Sequence, residues 1–341
     1  MPKSFPLHDL KVKALALAER IPKAQLHSKV VAWANAAKPK DVWSVAFSAG
    51  ADSLALLLLI WAHWPEKRKH LAALHFDHRL RGKASKEDAR FAKAVAKQLG
   101  IKFREGFWAS PPDKPNEAMA RDERFRFFNS VMPGLKSNTL WLGHQQDDIA
   151  ETLFMRIARG SGTAGLAAPR PLYEEPHFPT LLRPLLTLKK QELKTALREV
   201  GISWREDRSN AAHTYFRNRV RLSVIPAWIE ASGRDALRGA AYSRMLLEED
   251  DEAINTWVLN LKCISPAGKL KLERIKGMPK AVCRRALYLW LNRQKELGRL
   301  SARGFESLLN AVMVGVPTKQ SLGPHGFAVI NSQWLLFRKS I

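Results

Sequence analysis

Strand-like and helix-like segments alternate from residue 42 to residue 160, and this order constrains the fold more than any other feature. Four short runs rich in apolar, β-branched and aromatic residues predict strands, and a longer segment that predicts a helix follows each of them. The strands are VWSVAF (42–47), LAALHF (71–76), IKFREGF (101–107) and NTLWLGH (138–144), and the helices are SLALLLLIWAHW (53–64), SKEDARFAKAVAKQLG (85–100), NEAMARDERFRFFNSV (116–131) and DDIAETLFMRIARG (147–160). Such βαβ units predict an α/β fold, a parallel sheet with helices on both faces.

Two further regions flank this alternation. Residues 1–40 are basic and helical in pattern, and they end at AAKPKD, where proline breaks the helix. Residues 41–228 are predicted to form the main domain. Residues 229–341 predict a smaller, mainly helical C-terminal domain, with a basic helix at 279–296 and short strands separated by glycines.

The charge balance is the compositional feature that bears most on function. The 341 residues include 56 Lys and Arg against 32 Asp and Glu, which gives a net charge of +24 and a pI near 10.3. A protein this basic fits a polyanionic partner such as nucleic acid, although the same charge could serve solubility alone.

Cysteine content and apolar patterning narrow the cellular setting. Cys263 and Cys283 stand twenty positions apart, a spacing typical of neither a disulfide framework nor a zinc or iron–sulfur site. The N-terminus lacks the apolar core of a secretory signal, and no run reaches the roughly 18 apolar residues of a membrane span. We therefore expect a cytoplasmic protein with no membrane partner.

Polar clusters follow three of the predicted strands, at residues 48–53, 75–81 and 144–151. Because ligands of open α/β sheets bind at the carboxyl ends of the strands, these clusters predict one site. The first, FSAGADS, is neither a Walker A loop nor a GxGxxG loop. It fits S-G-G-x-D-S, the pyrophosphate loop of the ATP pyrophosphatases, in which loop amides and a helix N-terminus favour a phosphate. The alternative is that Ser48 or Asp52 only caps the following helix and binds no nucleotide.

This loop predicts an ATP site with one departure from the pattern. The predicted ATP-binding residues of the loop are Ser48, Ala49, Gly50, Ala51, Asp52 and Ser53. Asp52 is the predicted Mg²⁺ ligand, because hard oxygen donors suit that ion. Ala49 stands where the pattern has glycine, which costs on the order of 1 kcal/mol if the position needs a positive φ.

The second cluster, HFDHRLRG, contributes His75 and Asp77, which we predict to border the nucleotide. A metal triad with His78 is conceivable, but a lone His-x-Asp more often belongs to a hydrogen-bond network.

The third cluster, GHQQDDIAET, brings three acids onto one helix face. Asp147, Asp148 and Glu151 are three or four residues apart and follow His144, which we also predict to border the nucleotide. The alternative is that acids in a first helical turn are favoured by the helix dipole alone.

Seven segments resemble, in order and approximate spacing, the tRNA(Ile)-lysidine synthetases of the PP-loop superfamily. They are FSAGADS, HFDHRLRG, NEAMARDERFRF, LGHQQDDIAETLFMRIARGSGTAGL, RPLL, WREDRSN and FRNRVR. The match is strong over about 42–226 and weaker over 236–341. It implies an adenine nucleotide alpha hydrolase-like catalytic domain at 41–228 and a smaller tRNA-binding domain at 229–341. Longer members carry a further C-terminal domain, for which this sequence leaves no room.

The resemblance implies ATP-dependent ligation of L-lysine to C2 of the wobble cytidine in tRNA(Ile) with a CAU anticodon. The base is first adenylated at its C2 oxygen with release of pyrophosphate, and the lysine amine then displaces AMP. The product reads AUA instead of AUG. The implied partners are this tRNA, L-lysine and ATP with Mg²⁺. A homodimer and a monomer both stay open at this point.

The chemistry implies roles for particular side chains. Asp147, Asp148 and Glu151 would hold the lysine ammonium group and accept a proton. Asp52, through Mg²⁺, and Arg121 and Arg219 would stabilise charge on the α-phosphate.

Other basic and aromatic residues carry weaker predictions. Glu117, Arg121 and Arg124 align with an E-x-x-x-R-x-x-R helix of the family, and an ordinary salt-bridged helix face is the alternative. The basic cluster Arg217, Asn218, Arg219 and Arg221 could simply contact tRNA phosphates. From the C-terminal basic helix, Lys280, Arg284, Arg285 and Arg293 are predicted to contact phosphate, and Trp290 to pack inward. Trp61 and Trp64 are predicted to be core residues.

Two alternatives remain at this point. Another tRNA-modifying enzyme with the same loop is one, although the thiolases use cysteine pairs or a cluster that two remote cysteines cannot supply. The other is a non-catalytic basic tRNA-binding protein that has kept the fold, and Ala49 is the feature that favours it.

Overall fold

The fold is described from a computed structural model for residues 7–80, 82–176, 178–206, 215–294, 300–324 and 326–340. The helices are α1 (Leu10–Arg20), α2 (Ser28–Ala36), α3 (Ala51–His63), α4 (Lys83–Leu99), α5 (Glu117–Leu135), α6 (Gln146–Ile157), α7 (Thr163–Leu166), α8 (Lys190–Glu199), α9 (Phe216–Arg219), α10 (Ile225–Ser232), α11 (Ala236–Asn260), α12 (Lys280–Arg293) and α13 (Ala302–Val314). The strands are β1 (Trp43–Ala46), β2 (Leu71–Asp77), β3 (Lys102–Phe107), β4 (Thr139–Trp141), β5 (Leu172–Tyr173), β6 (Thr180–Leu182), β7 (Leu270–Lys271), β8 (Thr318–Ser321), β9 (Gly326–Ile330) and β10 (Trp334–Lys339). Arg81, residues 207–210 of WREDRSN, and 295–296 of the basic helix lie outside the described residues.

The chain divides into two compact units, one ending at Leu246 and the other beginning at Leu247. The sequence suggested a break at 228/229, and the contacts of the chain put it inside α11. In the first unit, the sheet has the order β3-β2-β1-β4-β6-β5, parallel throughout except for the edge strand β5. The chain moves outward from β1 to β3 and then returns to the other side of β1 as β4. The cleft between the ends of β1 and β4 is therefore the topological switch point, where such sheets bind ligands.

Alternating side chains of the strands build two cores, because successive residues of a strand face opposite sides. Trp43, Val45 and Ala73 face the core formed with α1, α3, α4 and α8. Leu74 and Leu140 face the opposite core, which α5 closes with Phe128, Met132 and Leu135. The predicted parallel sheet with helices on both faces is thereby confirmed.

The basic N-terminal segment is part of the first core. Leu10, Ala14 and Leu17 lie on one face of α1 and are almost completely buried in the core that contains α3. The ring of His63 at the end of α3 hydrogen-bonds the carbonyl of Ile21 (2.8 Å). Trp61 and Trp64 are buried in the same core, as predicted.

The second unit combines α12 and α13 with an antiparallel sheet of order β7-β10-β9-β8. Ala328, Ile330 and Leu335 point from the sheet into a core shared with these helices. Trp290 packs inward, as predicted, and its Nε1 donates to the carbonyl of Gly268 (2.9 Å). Both cysteines are buried, unpaired thiols.

Within the described ranges, no helix combines the length and the apolar character that a bilayer crossing requires.

Candidate functional site

The loop after β1 has an unusual backbone that favours an anion. Ala49 has φ 71°, in the left-handed region, and α3 starts two residues later at Ala51. Its carbonyl accepts from the amide of Arg205 (3.1 Å), and Ser53 Oγ bonds both Ser48 Oγ (3.0 Å) and the carbonyl of Gly50 (3.1 Å). These contacts fix the loop in front of the N-terminus of α3, whose dipole attracts negative charge.

The side chain of Ala49 lies on the core side of this loop. The residue is fully buried and packs in the same cluster as α3, whereas the neighbouring Ser48 is exposed. The methyl group therefore does not occupy the open side of the loop. The departure from glycine costs backbone strain but leaves the phosphate side clear.

The turn after β4 closes the other side of the cleft. A Cβ at Gly143 would lie 3.1 Å from the backbone of Asp52, so glycine permits this close approach. The next residues begin α6 with a capping box, in which Gln145 accepts from the amide of Asp147 (2.6 Å) and Asp148 accepts from the amide of Gln145 (3.0 Å). The N-termini of α3 and α6 thus meet at the switch point.

Two carboxylates at this junction are destabilised in their charged form. Burial raises the pKa of Asp52 to about 6; Lys190 opposes this rise and Asp148 adds to it. Asp52 Oδ1 is buried without a hydrogen-bond partner in the described part of the chain. Burial also raises the pKa of Asp147, although Asp147 Oδ2 accepts from the amide of Lys190 (3.0 Å).

The other two predicted acids are held by arginines. Arg217 donates to Glu151 Oε2 (2.7 Å) and Asp148 Oδ1 (2.7 Å), and Arg221 donates to Glu151 Oε1 (2.5 Å). Burial alone would lower the pKa of Arg217, but its pairing with Asp148 and Glu151 outweighs burial and raises it. Glu151 is buried, so both arginines serve to neutralise it.

A group of cations surrounds His144 opposite these acids. Arg183 is buried and its Nε donates to His144 Nδ1 (3.2 Å). Burial, followed by Arg183, Arg217, Arg121 and Arg124, lowers the pKa of His144 well below 6.5.

Two arginines of this group, Arg121 and Arg124, lie on α5. The pKa of Arg124 falls to about 10, chiefly through burial and then through Arg121. Neither guanidinium makes a hydrogen bond or ion pair with another described residue, and Arg121 lies over the ring of Phe125 (4.6 Å). Like charges collected in this way favour an anion between them.

The remaining predicted residues make local contacts. His75 Nδ1 bonds the carbonyl of Phe47 (2.8 Å), and Asp77 Oδ1 accepts from the amide of Arg79 (2.7 Å), so both side chains support the loops after β1 and β2. Arg219 is exposed, with its guanidinium 5.8 Å from the ring of Phe216. Arg217 and Arg221 are the members of this cluster that pair with the predicted acids.

Asp52 is the candidate metal ligand of this site. Within the described ranges, no group of three or more His, Cys, Asp and Glu side chains is arranged to hold a metal ion. Mg²⁺, however, is commonly held by one or two carboxylates together with substrate phosphates. The orphaned Oδ1 of Asp52 beside the loop fits that mode.

Comparison with known proteins gives the family. The profile of the PP-loop domain matches residues 22–228, more than half of the chain. The chain belongs to the PP-loop family. The resemblance inferred from the motifs is confirmed by curated relatives named tRNA(Ile)-lysidine synthase.

These relatives match the PP-loop protein over different lengths. That of Bacillus subtilis is 31% identical over 303 residues (84% of this chain and 63% of the relative). That of Solibacter usitatus is 40% identical over 185 residues (54% and 40%), and that of Symbiobacterium thermophilum 34% over 226 residues (64% and 46%). The chain spans about half the length of the curated relatives it matches.

A solved structure shares the fold of this PP-loop protein. The U34-tRNA thiolase NcsA from Methanococcus maripaludis, with its [4Fe-4S] cluster, superposes with a TM-score of 0.53 at 17% identity. The match covers 70% of this chain and 78% of that chain, and it bears on the fold alone.

Sequence reasoning missed the roles of three arginines in the PP-loop protein. It left Arg217 and Arg221 as phosphate contacts and gave Arg183, in RPLL, no role. Arg217 and Arg221 are four residues apart and Asp148 and Glu151 three apart, so each pair shares a helix face. The matching spacing of the two arginines and the two acids could have suggested that they pair. No local pattern, however, indicated that residues 66 to 70 positions apart would come together.

Proposed function

We propose that this chain is the catalytic part of a tRNA(Ile)-lysidine synthase, which uses ATP to ligate L-lysine to C2 of the wobble cytidine in tRNA(Ile) with a CAU anticodon. The modified tRNA would read AUA instead of AUG. Curated relatives of that name support the reaction. The structural observation that carries it is the meeting of the phosphate loop, Asp52 and the acids of α6 at one switch point, beside Arg121 and Arg124, which pair with no other residue in the described ranges.

In the first step, the C2 oxygen of the cytidine attacks the α-phosphorus of ATP, and the bond to the β-phosphate oxygen breaks with release of pyrophosphate. The loop amides and the α3 N-terminus bind the phosphates, while Arg121 and Arg124 face the negative charge that develops. Asp52 would hold Mg²⁺, which supplies positive charge to the phosphate oxygens when bound. Arg219 stays a further candidate for phosphate contact.

In the second step, the lysine amine attacks C2, AMP leaves as its bond to C2 breaks, and the attacking nitrogen loses a proton. Asp147 is the acid best suited to accept it, because no arginine among the described residues pairs with it and burial raises its pKa. Asp148 and Glu151 would act with Arg217 and Arg221 to orient the lysine chain. His75, Asp77 and His144 would border the nucleotide.

The decisive experiment measures pyrophosphate release from ATP with lysine and tRNA supplied separately and together. We expect release with the CAU-anticodon tRNA alone, and incorporation of labelled lysine only when both are present. The matched control is the same transcript with anticodon GAU, which should release none. Release driven by lysine without tRNA would mean amino-acid activation and would contradict the proposal.

A non-catalytic tRNA-binding protein is the second candidate, favoured by Ala49 in the phosphate loop. It predicts retention of the tRNA on a filter with no pyrophosphate release under any condition. The same assay therefore separates the two functions.

We also propose that residues 229–341 bind tRNA, that the protein acts in the cytoplasm and that it forms a homodimer. Light scattering of the purified chain would give its mass in solution directly.

A further inference from the structure

We propose that Arg183 is a positioning residue that fixes His144 as the neutral tautomer carrying its proton on Nε2, so that this imidazole donates a hydrogen bond to a phosphate oxygen and does not act as a base. The phosphate belongs to the nucleotide, so this inference rests on the proposed function. The proposed reaction does not by itself say whether His144 accepts a proton or donates a hydrogen bond, and the contact with Arg183 answers that question.

Arg183 is itself rigidly held. It follows β6 directly, its amide donates to the carbonyl of Pro171 (2.8 Å), and its NH1 donates to the carbonyl of Arg170 (2.6 Å). Only 6% of the residue is exposed. With these bonds made, the remaining Nε–H points at His144 Nδ1 over 3.2 Å.

The chemistry of the two groups then selects the tautomer. A guanidinium has only donors, so the nitrogen that faces it must accept. Nδ1 of His144 therefore carries a lone pair, and in a neutral imidazole the proton is on Nε2. A second proton on Nδ1 would place two N–H groups and two positive charges against each other.

Positively charged side chains from three neighbouring elements also favour the neutral form of His144. Arg183 approaches from the end of β6, Arg217 from α9, and Arg121 and Arg124 from α5. The acids Asp148 and Glu151 of α6 are already paired with arginines.

The exposed side of the ring defines its ligand. Among the residues that the structure describes, none accepts a hydrogen bond from His144 Nε2, and the ring is only partly buried. A donor surrounded by arginines matches an anionic oxygen, and the adjoining phosphate loop supplies one. It follows that proton acceptance falls to a carboxylate and not to His144.

The test reads the tautomer directly, without substrate. The intact protein, labelled with ¹⁵N-histidine, is examined by long-range ¹H–¹⁵N correlation from pH 5 to 8, and the His144 signals are assigned by their loss in His144→Gln. We expect a pyrrole-type Nε2 and a pyridine-type Nδ1 throughout this range. A protonated ring at pH 7, or the opposite tautomer, would overturn the proposal even if the enzyme makes lysidine.

Two substitutions test the part played by Arg183. Arg183→Met should leave the ring neutral, because burial and the other arginines remain, but should free Nδ1 to carry the proton and so abolish the fixed Nε2–H tautomer. It should lower kcat about 10- to 100-fold, the usual effect of losing a group that orients a functional side chain, with KM for ATP changed less. Arg183→Lys keeps a cationic donor and should restore the tautomer and part of kcat. An unchanged tautomer in Arg183→Met, with melting as the check on folding, would show that Arg183 does not set it. If that variant does not fold, the wild-type spectrum still tests the tautomer of His144, and its loss in Arg183→Lys would show that a cationic donor at this position is not sufficient to fix it.

Discussion

Burial of the Asp52 carboxylate raises its pKa from 3.8 to about 6, and Oδ1 has no hydrogen-bond partner in the described residues. The raised pKa means that the fold disfavours the charged form. The resulting loss of stability is present above pH 6 and disappears as the pH falls toward 3.8. Since a pKa difference of one corresponds to about 1.4 kcal/mol, this loss is about 3 kcal/mol or less.

Asp52→Asn is therefore expected to stabilise the protein by about 1–3 kcal/mol at pH 7.5, with the gain shrinking below pH 6, while abolishing pyrophosphate release. Urea unfolding at pH 5 and pH 7.5 measures the first effect. The exposed Asp113→Asn is the control and should alter neither quantity. A variant that loses stability at pH 7.5 would show that the carboxylate has a stabilising partner.

Ala49 places three small effects in opposition. A left-handed backbone costs an L-residue about 1–2 kcal/mol, which Ala49→Gly would relieve. Glycine loses about 0.5–1 kcal/mol in backbone entropy, and removal of the buried methyl loses about 0.8 kcal/mol. We expect a net change in unfolding free energy below about 1 kcal/mol and little change in KM for ATP.

The larger substitution at the same position gives the contrast. Ala49→Val combines a β-branched side chain at positive φ with overpacking of the core, and should cost about 2 kcal/mol or more. Urea unfolding measures both variants. If Ala49→Gly lost as much stability as Ala49→Val, the buried methyl group would contribute more to stability than its buried area predicts.

At the scale of the elements, the segment after α8 that contains Arg205 is hydrogen-bonded to the phosphate loop. The guanidinium of Arg205 pairs with Asp88 (2.8 Å) and Glu87 (2.7 Å) on α4, which positions the Arg205 amide against the carbonyl of Ala49. Arg205→Ala should loosen this attachment and raise KM for ATP about tenfold, with a smaller change in kcat.

The neighbouring ion pair offers a matched control. Lys194 pairs with the exposed Glu206 of the same segment (3.3 Å) but not with the loop. Lys194→Ala should leave KM for ATP unchanged, because exposed pairs contribute little. Steady-state kinetics measures KM for ATP in both variants. An equal change in Arg205→Ala and Lys194→Ala would contradict a role of Arg205 in holding the phosphate loop.

The elements also explain what the sequence could and could not predict. β1 to β4 were predicted because apolar runs precede helices at regular intervals. β5 and β6 were not, since they are only two and three residues long, too short to show an alternating pattern. Likewise, the loop and acids of the site follow local motifs. The pairing of Arg217 and Arg221 with α6 depends on α9 and the π-helical stretch Val220–Val224, which no periodicity indicated.

At the scale of the molecule, the count of 56 Lys and Arg residues overstates the cations available to a polyanion. On α12, Arg284 forms a two-bond pair with Glu306, and Lys280 lies 3.7 Å from the same carboxylate. Arg285 pairs with the buried Asp251 and donates to Asn255 (2.8 Å). The predicted phosphate contacts from this helix are thus largely committed to internal ion pairs, with the exposed Arg293 as the exception.

Alanine substitution of Arg285 should therefore affect stability but not tRNA binding, and alanine substitution of Arg293 should affect tRNA binding but not stability. Arg285→Ala removes the guanidinium that pairs with the buried Asp251 carboxylate, so it should cost about 3 kcal/mol of stability without changing the slope of log K against log salt. Arg293→Ala should leave stability unchanged and reduce that slope by about one, because each phosphate contact releases counterions. Filter binding from 50 to 200 mM salt, at a temperature where both variants are folded, measures the slopes. A reduced slope for Arg285→Ala would mean that this arginine exchanges its internal partner for phosphate when tRNA binds.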